Sequence, residues 1–162
     1  MGDVTPIPDD YPQVTAYLCI DGAAAAIDFY RRVLGATERM RMSQPDGRIG
    51  HAELTVGSGL IMLSDEFEDQ FPEMGVRSPR SLGGTPVMLN VYVDDVDATF
   101  ARAVEAGATA LREPEDQFYG DRSGQFEDPF GHRWSVASRT EEVDEAEMER
   151  RIAAEQAREA GR

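Results

Sequence analysis

His51 and Glu53 stand two residues apart in the run Ile49-Gly50-His51-Ala52-Glu53-Leu54-Thr55-Val56. In an extended strand that spacing puts both side chains on one face, an imidazole beside a carboxylate. Such a pair can share and orient a proton, with Glu53 as base, or supply two ligands to a divalent ion, which needs at least a third. The second histidine, His132, follows the turn Asp128-Pro129-Phe130-Gly131. Its ring can pin that turn by hydrogen bonds or shuttle protons near neutral pH. Cys19 is the single cysteine. A nucleophilic thiol needs a nearby base; the sequence sets neither histidine beside it, so a small buried residue is expected. Asp121-Arg122 reads either as a surface ion pair or as an arginine placed to meet an anion. No serine-centred elbow, phosphate loop or dinucleotide fingerprint occurs: Gly57-Ser58-Gly59 reads as a hairpin turn and Gly83-Gly84 as a bend.

The elements that would carry these residues follow from periodicity. Residues 14–20 alternate as a strand. Asp21 is the expected N-cap of a helix over 23–34, whose Ala26, Ile27, Tyr30, Val33 and Leu34 form one apolar stripe and which Gly35 ends. Strands follow over 36–42, 49–56 and 60–64, the first two joined by the Pro45-Asp46-Gly47 turn. Residues 65–86 read as a long link rich in acids, Pro and Gly. The pattern then repeats: a strand over 87–93, a helix over 96–106 closed by Gly107, and strands over 108–112, 125–127 and 133–137. Leu18-Cys19-Ile20-Asp21 matches Val91-Tyr92-Val93-Asp94, and Leu34-Gly35-Ala36 matches Ala106-Gly107-Ala108. A tandem duplication explains both. The organisation is an irregular lead-in (1–13), a βαβββ module (14–64), a linker (65–86), a second βαβββ module (87–138) and a C-terminal helix and tail (139–162). That last helix, over 145–157, starts at Asp144 with Glu147 as a capping box and carries only Met148 and Ile152 as a thin apolar stripe.

Composition limits the partners. A formal net charge of −15, with no lysine among the cations, repels phosphate backbones and anionic lipid surfaces, so neither nucleic acid nor a membrane is an expected partner. One cysteine allows no intrachain disulfide and points to a reducing, cytoplasmic setting. No signal peptide is read at the N-terminus, and no apolar stretch approaches the roughly 20 residues of a membrane span.

The helix Ile27-Asp28-Phe29-Tyr30-Arg31-Arg32-Val33-Leu34-Gly35-Ala36, the run Val93-Asp94-Asp95-Val96-Asp97 and Asp128-Pro129-Phe130-Gly131-His132, in this order on two βαβββ modules, resemble the vicinal oxygen chelate superfamily. That superfamily groups glyoxalase, bleomycin-resistance and extradiol dioxygenase proteins; the chain is most similar to its glyoxalase-like branch of undefined function, over about 14–138. The resemblance implies an α+β fold, each module curling its sheet into half of a cleft with helices outside, and a homodimer. It sorts Leu18, Ile20, Leu89, Val91, Trp134 and Val136 to the helix side. Thr15, Tyr17, Cys19, Met88, Asn90, Tyr92, Arg133 and Ser135 fall on the cleft side.

Metal-dependent members place His, Gln or Glu on the first and last strands of each module. The matching positions here are Thr15, Met62 or Leu63, Met88 and Ser135, poor ligands for Zn, Mn or Fe. No cofactor is therefore expected, and His51 with Glu53 is the remaining donor pair. Tyr17, Asn90, Tyr92, Tyr119, Arg122 and Ser135 are the expected ligand-binding residues, the tyrosines stacking on a flat apolar ligand or packing in the core. The resemblance implies a protein that binds a small organic molecule by sequestration without a metal. The alternative is a lyase, isomerase or dioxygenase-type enzyme on a small carbonyl or vicinal-oxygen substrate, with His51 and Glu53 as catalytic residues and a divalent metal assisting.

Overall fold

The computed structural model describes residues 6–67, 73 and 75–161. Its elements run β1 (Ala16–Ile20), α1 (Ala23–Leu34), β2 (Thr37–Ser43), β3 (Ile49–Val56), β4 (Gly59–Asp65), α2 (Pro79–Leu82), β5 (Met88–Tyr92), α3 (Val96–Glu105), β6 (Thr109–Asp116), β7 (Asp121–Glu127), β8 (Arg133–Arg139) and α4 (Glu145–Ala160). The class is α+β, two tandem βαβββ modules and a C-terminal helix. The chain forms two compact units, residues 1–86 with 129–131, and residues 87–128 with 132–162.

Each unit holds a four-stranded mixed sheet of the same topology, β1-β4-β3-β2 in one and β5-β8-β7-β6 in the other. In both, the first and last strands of the module are parallel neighbours and the remaining pairs are antiparallel. Identical order and sense in two halves are what a duplicated sequence must produce.

In the first unit Leu18, Ile20, Ala52, Leu54 and Leu63 are buried together with Ala26, Ile27, Tyr30 and Val33 of α1. Of the stripe read from the sequence these four are the packed residues; Leu34 is half-buried, and Phe29, outside the stripe, is buried. Gly35 is left-handed at φ 65°, and the Ala36 N–H returns to the Tyr30 carbonyl, closing the helix as its glycine predicts. In the second unit Asp95 caps α3 by accepting from Ala98 N–H at 2.9 Å, and Phe100 of that helix meets Phe126 of β7 edge to face. Asp144 caps α4 through Glu147 N–H at 2.8 Å. None of the α4 residues is buried; Arg151 fastens it, reaching Glu141 at 2.7 Å and the Phe118 carbonyl at 3.0 Å.

One expectation is corrected. Asp21 is not the cap of α1: the position before the helix is Gly22, left-handed at φ 98°, and the acceptor comes from the far end of β4. Asp65 Oδ1 accepts from the Gly22 and Ala23 N–H groups at 3.1 and 2.9 Å, and its Oδ2 from Ile49 N–H at 2.6 Å. Asp21 instead pairs with Arg80 at 3.2 Å on the surface. Of the stretch read as a link, residues 68–72 and 74 lie outside the described residues; Asp65 ends β4, and a helical turn, α2, forms over Pro79–Leu82 with Ser78 as its N-cap.

Asp65→Ala orphans three backbone donors, each costing about 1–3 kcal/mol when left buried and unpaired. It should lower unfolding free energy by about 3 kcal/mol or more in denaturant titrations. Asp21→Ala should cost under about 1 kcal/mol, as an exposed ion pair does.

Candidate functional site

The register of the first sheet sets Tyr17, Met62, Glu53 and Met40 across one line, through the pairs Tyr17↔Met62, Met62↔Glu53 and Glu53↔Met40. These side chains lie on the face opposite α1, and His51 and Met42 occupy the adjoining line. The pair His51 and Glu53, drawn from spacing alone, is brought together: His51 Nε2 is 3.3 Å from Glu53 Oε1. Tyr17 joins them, its hydroxyl 3.0 Å from His51 Nδ1 and its ring 5.6 Å from the imidazole, centroid to centroid.

Two residues complete the cluster that sequence reasoning did not single out. Tyr11, in the lead-in, donates its hydroxyl to both Glu53 oxygens at 2.8 and 3.0 Å. Arg39 stacks its guanidinium 4.7 Å from the Tyr11 ring centroid, sits 3.7 Å from Glu53 and pairs with Asp10 at 2.8 Å. Arg39 reaches this face because the pairing of β2 with β3 shifts register between Glu38 and Met40, leaving it as the extra residue of a bulge. Bulges re-aim side chains in this way. A repeat of alternating polar residues gives no signal for such a shift, and a lead-in tyrosine gives none for a contact 42 residues away.

An ionised Glu53 only accepts, so the Tyr11 O–H points at it; in the His51 tautomer protonated at Nε2 alone, that N–H points at it too and Nδ1 accepts from the Tyr17 hydroxyl. Glu53 is 4 % exposed, whereas Tyr17 is 50 % exposed. A buried carboxylate thus stands behind an imidazole and a half-exposed phenol. The bond to Glu53, with burial, pushes the Tyr11 hydroxyl above its ordinary pKa, because ionising it would set two anions together.

In the second unit Asn90, Ser135 and Gln125 share the corresponding line. Tyr92 donates to Asp121 Oδ2 at 2.6 Å, and Arg139 lies 3.3 Å from Oδ1 of the same carboxylate; the Asp121 contact raises the Tyr92 pKa. Arg122 lies on the other face, with Phe126. Asp97 of α3 holds it in a two-pronged pair at 2.7 and 2.8 Å, and Asp116 contacts it at 3.1 Å. The Asp121–Arg122 pair read from the sequence does not form: the two side chains lie on opposite faces of β7, Asp121 with Tyr92 and Arg139, and Arg122 with Asp97 and Asp116. Tyr119 sits in the β6–β7 turn, 40 % exposed, edge-on to Phe118. His132 is buried, and its backbone N–H, not its ring, donates to Asp128 Oδ1 at 3.0 Å, while Asp128 Oδ2 accepts from Trp134 Nε1 at 3.0 Å. This part of the motif therefore builds the turn.

The donor set does not fit the metal that the resemblance implies. Thr15 bonds the Pro12 carbonyl, and the facing positions of the first and last strands are Tyr17 with Met62 and Asn90 with Ser135. Among the described residues there is no group of three or more His, Cys, Asp or Glu side chains able to hold a metal ion. Cys19 is buried, its thiol 3.8 Å from the Val76 carbonyl. Burial, with the nearby carboxylates of Glu66 and Asp65, pushes its pKa up to about 11.

Comparisons with known proteins agree with this architecture. The family model described as Glyoxalase/Bleomycin resistance protein/Dioxygenase superfamily matches residues 12–136. An uncharacterized protein of Mycobacterium bovis is 45 % identical over 141 residues, 85 % of this chain and 90 % of its own. Among solved structures, TioX from Micromonospora sp. ML1 matches with a TM-score of 0.59 and 28 % identity, over 82 % of this chain and all of its own. A glyoxalase/bleomycin resistance protein/dioxygenase family enzyme from Burkholderia phytofirmans matches with a TM-score of 0.60 and 21 % identity, over 76 % and 95 %, a likeness of fold.

A thiol held near pKa 11 carries about 100-fold less thiolate near neutral pH than one at 9. Because the folded value is raised, the protonated thiol favours the fold below about pH 9, and that contribution is lost as pH rises through 11. Alkylation of Cys19 by iodoacetamide at pH 8, followed by intact mass, should be at least 100-fold slower than in guanidinium-unfolded chain. Equal rates would contradict the buried placement.

Proposed function

Because the chain belongs to the glyoxalase/bleomycin resistance protein/dioxygenase superfamily, we propose that it binds a small, flat organic molecule without a metal, on the sheet face of its first unit. One observation carries this reading: a buried carboxylate, Glu53, is surrounded on that face by the exposed Tyr17, Met40 and Met42. Aromatic and thioether surface takes up flat apolar rings, and a fixed carboxylate acceptor selects among them by rewarding a hydrogen-bond donor at one place. The acidic charge of the chain favours neutral or cationic ligands over anionic ones. Asn90, Ser135 and Tyr92 of the second unit supply a polar surface of the same register and are the next residues to test.

A screen of basic glycopeptide and aromatic antibiotics by thermal shift tests the reading. A ligand at 100 times its Kd stabilises by about 2.7 kcal/mol, a rise of several degrees in Tm for a chain of this size. Glu53→Gln should abolish the shift. A full screen without a shift, or a shift unaltered by Glu53→Gln, would sink it.

A second reading is favoured by the Tyr17–His51–Glu53 chain, a phenol, an imidazole and an orienting carboxylate in line. This is the arrangement of acid–base catalysis, and it fits a lyase or isomerase acting on a small carbonyl compound with no ion held by these residues. Turnover of methylglyoxal–thiol adducts that falls at least 100-fold in Glu53→Gln, by absorbance assay, would put this reading first. No turnover above buffer would leave binding alone.

A further inference from the structure

Tyr11 is the one aromatic ring of this site that does not belong to the sheet. It arrives on the lead-in, among Pro6, Ile7, Pro8, Pro12 and Gln13, which line a cavity of about 340 Å³ with it. Its hydroxyl spans both oxygens of Glu53, the buried acceptor that a bound molecule would have to use. Among the described residues of the lead-in, 6–13, the side-chain contacts to the sheet beside the Tyr11–Glu53 bond are those of Arg39, which stacks on the ring and reaches the Asp10 carboxylate and carbonyl. Its residues 6–10 are exposed and 11 is half-buried, so little apolar surface is gained by docking it.

We propose that the lead-in is a displaceable strap, that Tyr11 is the molecule's own stand-in for its ligand, and that the ligand carries a phenol that replaces the Tyr11 hydroxyl on Glu53. This rests on the binding reading above and names the ligand class for the same site. The chemistry of the exchange is closed. One phenol O–H···carboxylate bond is given up and another is made, so Glu53 is never left buried and unpaired, a state that would be costly. Arg39, freed from the Tyr11 ring, can stack on the incoming one. His51 and Tyr17 keep their mutual bond throughout. A ligand without a donor at that position would leave Glu53 without its two-pronged phenol contact, with only His51 bonded to it and Arg39 nearby, and that is the source of discrimination. Because the strap is joined to the sheet, it competes as an intramolecular ligand, and the apparent affinity falls by the fraction of time the strap is open.

The test uses 4-methylphenol, the tyrosine side chain cut loose, and 4-methylanisole, its donor-less analogue, titrated into the full-length chain by ligand-observed NMR. Tyr11→Ala should bind 4-methylphenol about 10-fold more tightly than the wild type. Glu53→Gln, alone or with Tyr11→Ala, should lose at least that factor, and 4-methylanisole should bind all variants weakly and alike. Tyr11→Phe, which keeps the packed ring but not the hydroxyl, should fall between the wild type and Tyr11→Ala. The proposal is overturned if Tyr11→Ala binds 4-methylphenol no better than the wild type, if 4-methylanisole binds as well, or if no variant binds the phenol at all. An antibiotic from the screen that shifts the wild type and Tyr11→Ala equally would overturn the strap while leaving the binding reading intact. A chain that takes up neither screen compound nor phenol would remove both.

Discussion

The carboxylate of Asp65 holds the first unit together at the point where its chemistry is assembled. It is 8 % exposed and accepts from three backbone N–H groups, two opening α1 and one opening β3. A buried charge is tolerable only when its lone pairs are filled, and here the donors come from the start of the helix that backs the sheet and from the strand that carries His51 and Glu53. Positive potential at a helix N-terminus adds to the attraction. The same contact therefore fixes the angle of α1 and the starting register of β3. A slip of one residue in β3 would turn His51 and Glu53 toward the helix.

Duplication shows what is architecture and what is site. The two sheets share strand order and sense, so residues can be matched line by line: Tyr17, Met62 and Glu53 in one correspond to Asn90, Ser135 and Gln125 in the other. On this line the first unit carries an ionisable acceptor with an imidazole beside it, whereas the second carries neutral amides and a hydroxyl, its carboxylate Asp121 lying farther along β7 with Tyr92 and Arg139. What remains equal is the helix-facing set, with Phe100 and Phe126 filling the second unit as α1 fills the first. Packing constrains that side in both copies, whereas the open side has been free to diverge.

The sequence carried the three long helices, the repeated βαβββ succession, and the pairing of His51 with Glu53, because each depends on short-range periodicity or on a two-residue spacing. The family resemblance, drawn from the α1 run and the Asp128-Pro129-Phe130-Gly131 turn, is met by the family match. Long-range acceptors were illegible. Asp21 has the right type and position for a cap, yet Gly22 needs a left-handed conformation there, and the helix is served by Asp65 from 42 residues on. Strands β6 and β7 run well past the 108–112 and 125–127 read from pattern, since β6 is an exposed edge strand whose residues Arg112, Glu113, Pro114 and Glu115 show no apolar alternation. Arg39 and Tyr11 went unseen for a similar reason: a bulge and an irregular lead-in leave no periodic trace.

Glu53 decides how these parts work together. In a chain of net charge −15, another buried carboxylate is costly unless its surroundings favour the anion. The donors around it are a phenol, an imidazole and a guanidinium at 3.7 Å. Of these, the imidazole is held by the sheet and by Tyr17, and the guanidinium is close but outside hydrogen-bond reach. Only the phenol comes from a segment that no sheet or helix holds. Any movement of the lead-in must leave Glu53 short of a donor until water or a ligand replaces it. The electrostatics of one side chain thus tie the position of residues 6–13 to the sheet face that carries Glu53.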